Sequence, residues 1–227
     1  MEKPTNQYSR SFLYIAIIFV AVLMISNTVA VKIFQFGPFF FPGAIIIFPI
    51  SYIFGDILTE VYGYHASRRI IWAGFISMIM MSFFYWLVQI LPAAPFWPNQ
   101  GAYEAILGVV PRIVLGSMAG YFAGEFTNSF VLSKMKILTG GRWLWTRTVG
   151  STVVGQAVDT SIFVAIAFGG TIPSGALITV MISGYLAKVA VEVVLTPATY
   201  IIVNKLKKAE GIDVFDIGVN YNPFGLK

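Results

Sequence analysis

Four carboxylates, Asp56, Glu125, Asp159 and Glu192, stand inside long apolar stretches of this chain, with one amine, Lys188, and three amides, Asn27, Asn128 and Gln156. An ionisable side chain at the centre of a bilayer costs at least about 2.5–3.5 kcal/mol, so such groups face the protein interior and mark a pathway or a site. Carboxylates accept hydrogen bonds, an ammonium donates them, and amides do both. That inventory suits a small, polar, planar ligand with N–H donors on its edge. Tyr52, Trp97, Tyr121, Phe163 and Tyr185 are aromatic side chains able to cover its faces.

Other chemistries fit poorly. Cysteine is absent and histidine occurs once, at His65, which leaves no thiolate chemistry and no histidine metal cluster. Neither a His-x-x-x-His or Glu-x-x-His spacing nor a Gly-x-Ser-x-Gly elbow occurs. An intramembrane aspartyl protease would need two aspartates sharing a proton. Asp56 and Asp159 are available, but Lys188 beside Asp159 argues against a shared proton. The expectation is no enzyme, no metal and no cofactor.

The spacing of the polar residues shows which elements must carry them. Residues at i, i+4 and i+7 share a helical face. Tyr52, Asp56, Thr59 and Glu60, with Gly63, make one such stripe; Tyr121, Glu125, Asn128, Ser129 and Leu132 make a second. Thr152, Gln156, Asp159 and Phe163 form a third, and Tyr185, Lys188, Glu192 and Thr199 roughly a fourth. At about 1.5 Å per residue, Asp159 and Lys188 lie roughly 15 and 20 Å from the outer ends of consecutive antiparallel helices. They should meet near midplane, with Glu192 one turn further inward. The plainer reading of that pair is a salt bridge that only orders the bundle.

The elements themselves follow from composition. Of 227 residues, 57% are hydrophobic and only 11% charged, against roughly 25% charged in soluble domains; the mean hydropathy is +0.79. This is an all-α integral membrane pattern. Six apolar runs, about 12–34, 39–63, 69–91, 105–133, 145–169 and 174–204, are each long enough to cross a bilayer. They give a single six-helix domain over 1–208 and a polar tail over 209–227. Lys3, Arg10, Arg68, Arg69, Lys134, Lys136, Arg142, Arg147, Lys205, Lys207 and Lys208 all fall on one side if the spans alternate. The positive-inside rule makes that side, and both termini, cytoplasmic. Topology thus accounts for the net charge of +5 and the pI near 9.4 without a nucleic-acid partner. Lys32 is close enough to a span end to snorkel. Gly116, Gly120 and Gly124 form a double G-x-x-x-G ladder, which reads as tight packing within one bundle or as a homodimer seam.

Four stretches carry a resemblance to a known family. They are FPISYIFGDILTEVYG at 48–63, GEFTNS at 124–129, RTVGSTVVGQAVDT at 147–160, and the run of Lys188, Glu192 and Pro197; the NPF tail at 222–224 fits as well. Over nearly its whole length the chain resembles the queuosine precursor transporter family, also called the VUT family. The resemblance implies a six-helix, multi-pass carrier in the bacterial inner membrane, similar in fold to the substrate-binding subunits of energy-coupling-factor vitamin transporters. Its implied cargo is 7-cyano-7-deazaguanine or 7-aminomethyl-7-deazaguanine, with queuine for some members, salvaged for tRNA modification. Carried over by motif, Asp56, Glu125, Asn128, Gln156, Asp159 and Lys188 are the positions implied, with Glu192 behind them. On this reading the base passes the 92–103 loop from outside. Asp159 or Glu192 accepts its donor edge, Gln156 or Asn128 reads its carbonyl, and Lys188 keeps the remaining acid ionised. The alternatives are a membrane scaffold whose polar residues bind partner helices, and a carrier of another planar, vitamin-like ligand.

Overall fold

The computed structural model describes residues 9–222, apart from the side chains of Pro49 and Tyr52. The chain runs α1 (Arg10–Val29), β1 (Ile33–Phe36), β2 (Phe39–Pro42), a 3-10 turn (Gly43–Ile46), α2 (Phe48–Ile57), a π turn (Leu58–Tyr62), α3 (Tyr64–Gln89), α4 (Gln100–Leu107), α5 (Val110–Leu138), α6 (Leu144–Phe168) and α7 (Ser174–Glu210). Among the described residues, five helical stretches are long and apolar enough to cross a membrane: α1, α3, α4 with α5, α6, and α7. Leu13, Ile76, Phe83, Leu115, Ile178 and Val194 point away from the protein. Large exposed side chains of this kind on every long helix are what a bilayer solvates.

The 39–63 run is not one helix. Gly37 takes φ 58°, a left-handed turn that folds Phe36 against Phe39 and pairs β1 with β2 antiparallel. Pro42 then caps the 3-10 turn, and Pro49 sits in the first turn of α2, where its missing N–H costs nothing. Helical structure covers only 48–62, about 22 Å. The fourth run is likewise divided: Pro111 opens α5, and α4 precedes it as a separate short helix. α7 keeps Pro197 inside the helix and extends for 37 residues, about 55 Å, well beyond the hydrocarbon thickness.

The ends sort as an up-and-down bundle requires. The Ser9 hydroxyl, which caps α1, also donates to Glu210 at the end of α7, at 2.5 Å. Arg112, at the other end, donates to the carbonyls of Ile166 (2.9 Å) and Gly169 (2.5 Å) and so caps α6. α5 and α6 pack closest, because glycines let their backbones touch. A Cβ at Gly120 would lie 2.6 Å from the Asp159 carbonyl oxygen, and one at Gly124 would lie 2.5 Å from the Asp159 Cβ. Gly116 faces Phe163 and Ala167 in the same way. The ladder is thus buried within the chain, and the homodimer seam has no free face there.

The polar tail is docked rather than loose. Both Asp216 carboxylate oxygens accept from the Tyr64 N–H, each at 3.1 Å, and one also accepts from the Ser133 hydroxyl at 2.8 Å. Arg68 donates to the Asn222 carbonyl at 2.6 Å. Gly63 makes this fit: at φ 83° it turns the chain into α3, and a Cβ there would strike Val214. The last two residues of the NPF tail lie outside the described residues.

Candidate functional site

Two buried polar groups occupy the bundle, and they differ in how completely they are paired. The first surrounds Glu60 in the π turn. Arg147 holds its carboxylate bidentately, at 2.6 and 3.2 Å, and Lys207 reaches it at 2.7 Å. Lys136 donates to its backbone carbonyl at 2.9 Å. Arg147 also donates to the carbonyls of Gly141 and Arg142. Lys136 and Lys207 also hold Asp213 of the tail, at 2.8 and 3.0 Å. Partial burial would raise the Asp213 carboxyl, but the hydrogen bonds from these two lysines outweigh it and hold it below its usual value. Several basic residues that mark topology in the sequence are therefore ligands of one buried acid.

The second group begins one turn away on α2. Asp56 is fully buried and accepts from Asn128 Nδ2 at 2.8 Å. Its carboxyl lies against that of Glu192 on α7. Glu125 stands beside Gly55, where any Cβ would collide with its Oε1, and the Tyr121 hydroxyl stands one turn before it on α5. Lys188 donates to Asp159 Oδ2 at 2.6 Å and lies 3.5 Å from Thr160 Oγ1. The expected meeting of Asp159 and Lys188 is thus present in the structure. Several acceptors in this group have no hydrogen-bond partner among the described residues: Asp56 Oδ2, Asn128 Oδ1, Gln156 Oε1, Asp159 Oδ1, Glu192 Oε1 and both oxygens of Glu125. Most buried polar atoms in proteins are paired, so an excess of buried acceptors on this scale needs a reason.

A cleft opens onto this group from the opposite side to Glu60. It is lined by Asn27 and Ser26 of α1, Phe48 of α2, Asp159, Thr160 and Phe163 of α6, and Lys188 of α7, with Pro42, Ala44 and Ile45 near the hairpin. Its centre admits water over about 30 Å³, room for about two molecules. A larger ligand therefore needs the walls to part. The Lys188 ammonium lies 4.6 Å from the Phe48 ring centroid and 6.0 Å from that of Phe163, close enough for cation–π attraction.

The predicted residues divide accordingly. Asn27, Asp159, Phe163 and Lys188 line the cleft. Asp56, Glu125, Asn128, Gln156 and Glu192 are buried just beyond it. Tyr121 belongs to an aromatic core, 5.8 Å from both Phe48 and Phe75. Trp97 is 39% exposed and lines a separate groove with Pro92 and Tyr103, so the 92–103 loop does not form the mouth of the cleft. Tyr185 is half-buried outside the cleft lining. Tyr52 lies on α2, its side chain outside the described set. Phe48, Thr160, Ser26 and Ser117 also line the cleft and were not anticipated. Phe48 had a signal, because it precedes Asp56 by two helical turns on the same face.

These features define a multi-pass membrane protein with a partly unsatisfied polar interior. Residues 42–202 match the family described as "Putative vitamin uptake transporter", and the chain belongs to that family of carriers. A Bacillus subtilis (strain 168) protein named "Probable queuosine precursor transporter" is 36% identical over 146 residues, 64% of this chain and 64% of that protein. An Escherichia coli (strain K12) "Queuosine precursor transporter" is 28% identical over 121 residues, 53% of this chain and 52% of that protein. The chain thus aligns with less than two thirds of each relative's length. No solved structure matches it. The family match contains every predicted polar residue of the site except Asn27.

Proposed function

We propose that this protein carries queuosine precursors, 7-deazaguanine bases, across the bacterial inner membrane. The observation that supports this most is the Asp159–Lys188 pair at the base of an aromatic-lined cleft, with Asp159 Oδ1 unpaired. A guanine-like edge presents a carbonyl, an N1–H and an exocyclic amine in a row. Asp159 accepts from the two donors and Lys188 donates to the carbonyl, while Phe48 and Phe163 cover the ring. Asp159 suits this role better than Glu192, which lies beyond the cleft.

In this reading α2 with its π turn makes the sixth crossing, in the plan of the substrate-binding subunits of energy-coupling-factor vitamin transporters. The Glu60 end, with both chain termini, faces the cytoplasm, in keeping with its concentration of lysine and arginine. The ligand arrives beside the hairpin, and α2 and α7 part from the close-packed α5–α6 pair to let it through.

The test is uptake of labelled 7-deazaguanine bases by cells lacking their own synthesis route, with and without this chain. Uptake should depend on the chain. Guanine-like bases should compete, and hypoxanthine, which lacks the exocyclic amine, should compete about ten- to a hundredfold less well, because it leaves a charged acceptor unpaired. Hypoxanthine competing equally would remove the edge-reading role of Asp159.

A further inference from the structure

Asp56, Glu125 and Glu192 bring three buried carboxyl groups together, and among the described residues no cation lies within ion-pair distance of any of them. Lys188 is engaged by Asp159. The acceptors left without a partner among the described residues are Asp56 Oδ2, Glu192 Oε1, both oxygens of Glu125, and the Oδ1 of Asn128, while the Tyr121 hydroxyl stands one turn from Glu125. Asn128 is itself fully buried and oriented by its hydrogen bond to Asp56. A purely structural role would have supplied cations, as the Glu60 group does.

The complementary group is one that carries several N–H donors and a positive charge, and a primary ammonium has three donors and no lone pair. A nitrile offers only an acceptor and would meet these oxygens lone pair to lone pair. Glu192 lies one turn of α7 past Lys188, about 6 Å, so this group begins where the ring-binding cleft ends. We infer that Asp56, Glu125 and Glu192 receive a cationic side arm of the ligand, so that the preferred precursor carries a primary ammonium beside its guanine-like ring. This rests on the proposed function and adds which member of the substrate class is favoured.

The test compares the affinities of the purified full chain for 7-aminomethyl-7-deazaguanine and 7-cyano-7-deazaguanine. The amine should bind at least about tenfold more tightly. Glu125→Gln and Glu192→Gln should each bring the ratio of the two affinities toward one. Equal or tighter binding of the nitrile, or a ratio unmoved by both substitutions, overturns the inference and leaves the carrier reading standing. Failure of both bases to bind overturns this inference and the carrier reading together.

Discussion

Asp56 and Glu60 lie four residues apart on one short helix and its π turn, both almost wholly buried, yet their surroundings are opposite. Glu60 receives Arg147 bidentately and Lys207 as well, and the cations that hold it reach further partners. Asp56 has one amide donor and a second carboxyl against it. A buried charge is tolerated when its hydrogen bonds are complete, and becomes costly when they are not. The Glu60 group is therefore a fastener joining α2, α5, α6, α7 and the tail. The group from Asp56 to Lys188 is incomplete, which is what the proposed binding of a donor-rich ligand calls for.

The sharpest way to break this contrast is Arg147→Met. It leaves Glu60 short of its bidentate partner inside the protein, and breaking such a pair costs about 3–5 kcal/mol. Thermal unfolding in detergent should show that loss, and adding Glu60→Gln should recover much of it. An Arg147→Met protein as stable as the parent would end the fastener reading.

The opposite is expected at Glu125. Replacing it with leucine removes two unpaired buried acceptors, so stability should hold or rise by up to about 2 kcal/mol, while uptake falls. A clear loss of stability would place Glu125 with the fasteners.

How far the sequence foretold this contrast depends on the level. The Asp159–Lys188 meeting was legible, because helical periodicity and antiparallel neighbours determine which residues face each other. α6 was legible too, within a residue at each end, since apolar composition and polar flanks agree there. The 39–63 run was misread because hydropathy alone outweighed Gly37, Pro42 and Pro49, which mark a hairpin and a fresh helix start. The pairing of Glu60 was hidden. Arg147, Lys136 and Lys207 come from distant positions, and their charges serve topology and pairing at once. The docked tail was also hidden, since Asp213 and Asp216 find their partners only after the helices assemble.

The smallest expected effect lies at the rim of the fastener. Asp213 is held below its usual value by Lys136 and Lys207, so its contribution is complete above about pH 4 and fades as pH falls below that. Because its side chain is 47% exposed, screening keeps that contribution small. Asp213→Asn should change stability by less than about 1 kcal/mol and flatten the acid side of the stability profile slightly. A large effect would mean the tail is fastened mainly through this residue.

The most direct test of the central claim is ligand-induced stabilisation of the purified protein. With 7-aminomethyl-7-deazaguanine at a hundred times its dissociation constant, a bound native state gains about 2.7 kcal/mol. The parent should therefore melt several degrees higher with the base than without. Asp159→Asn and Lys188→Met should fold and yet show no such rise. A parent that gains nothing, or variants that gain as much as the parent, would contradict the claim that the incompletely paired group is the binding site.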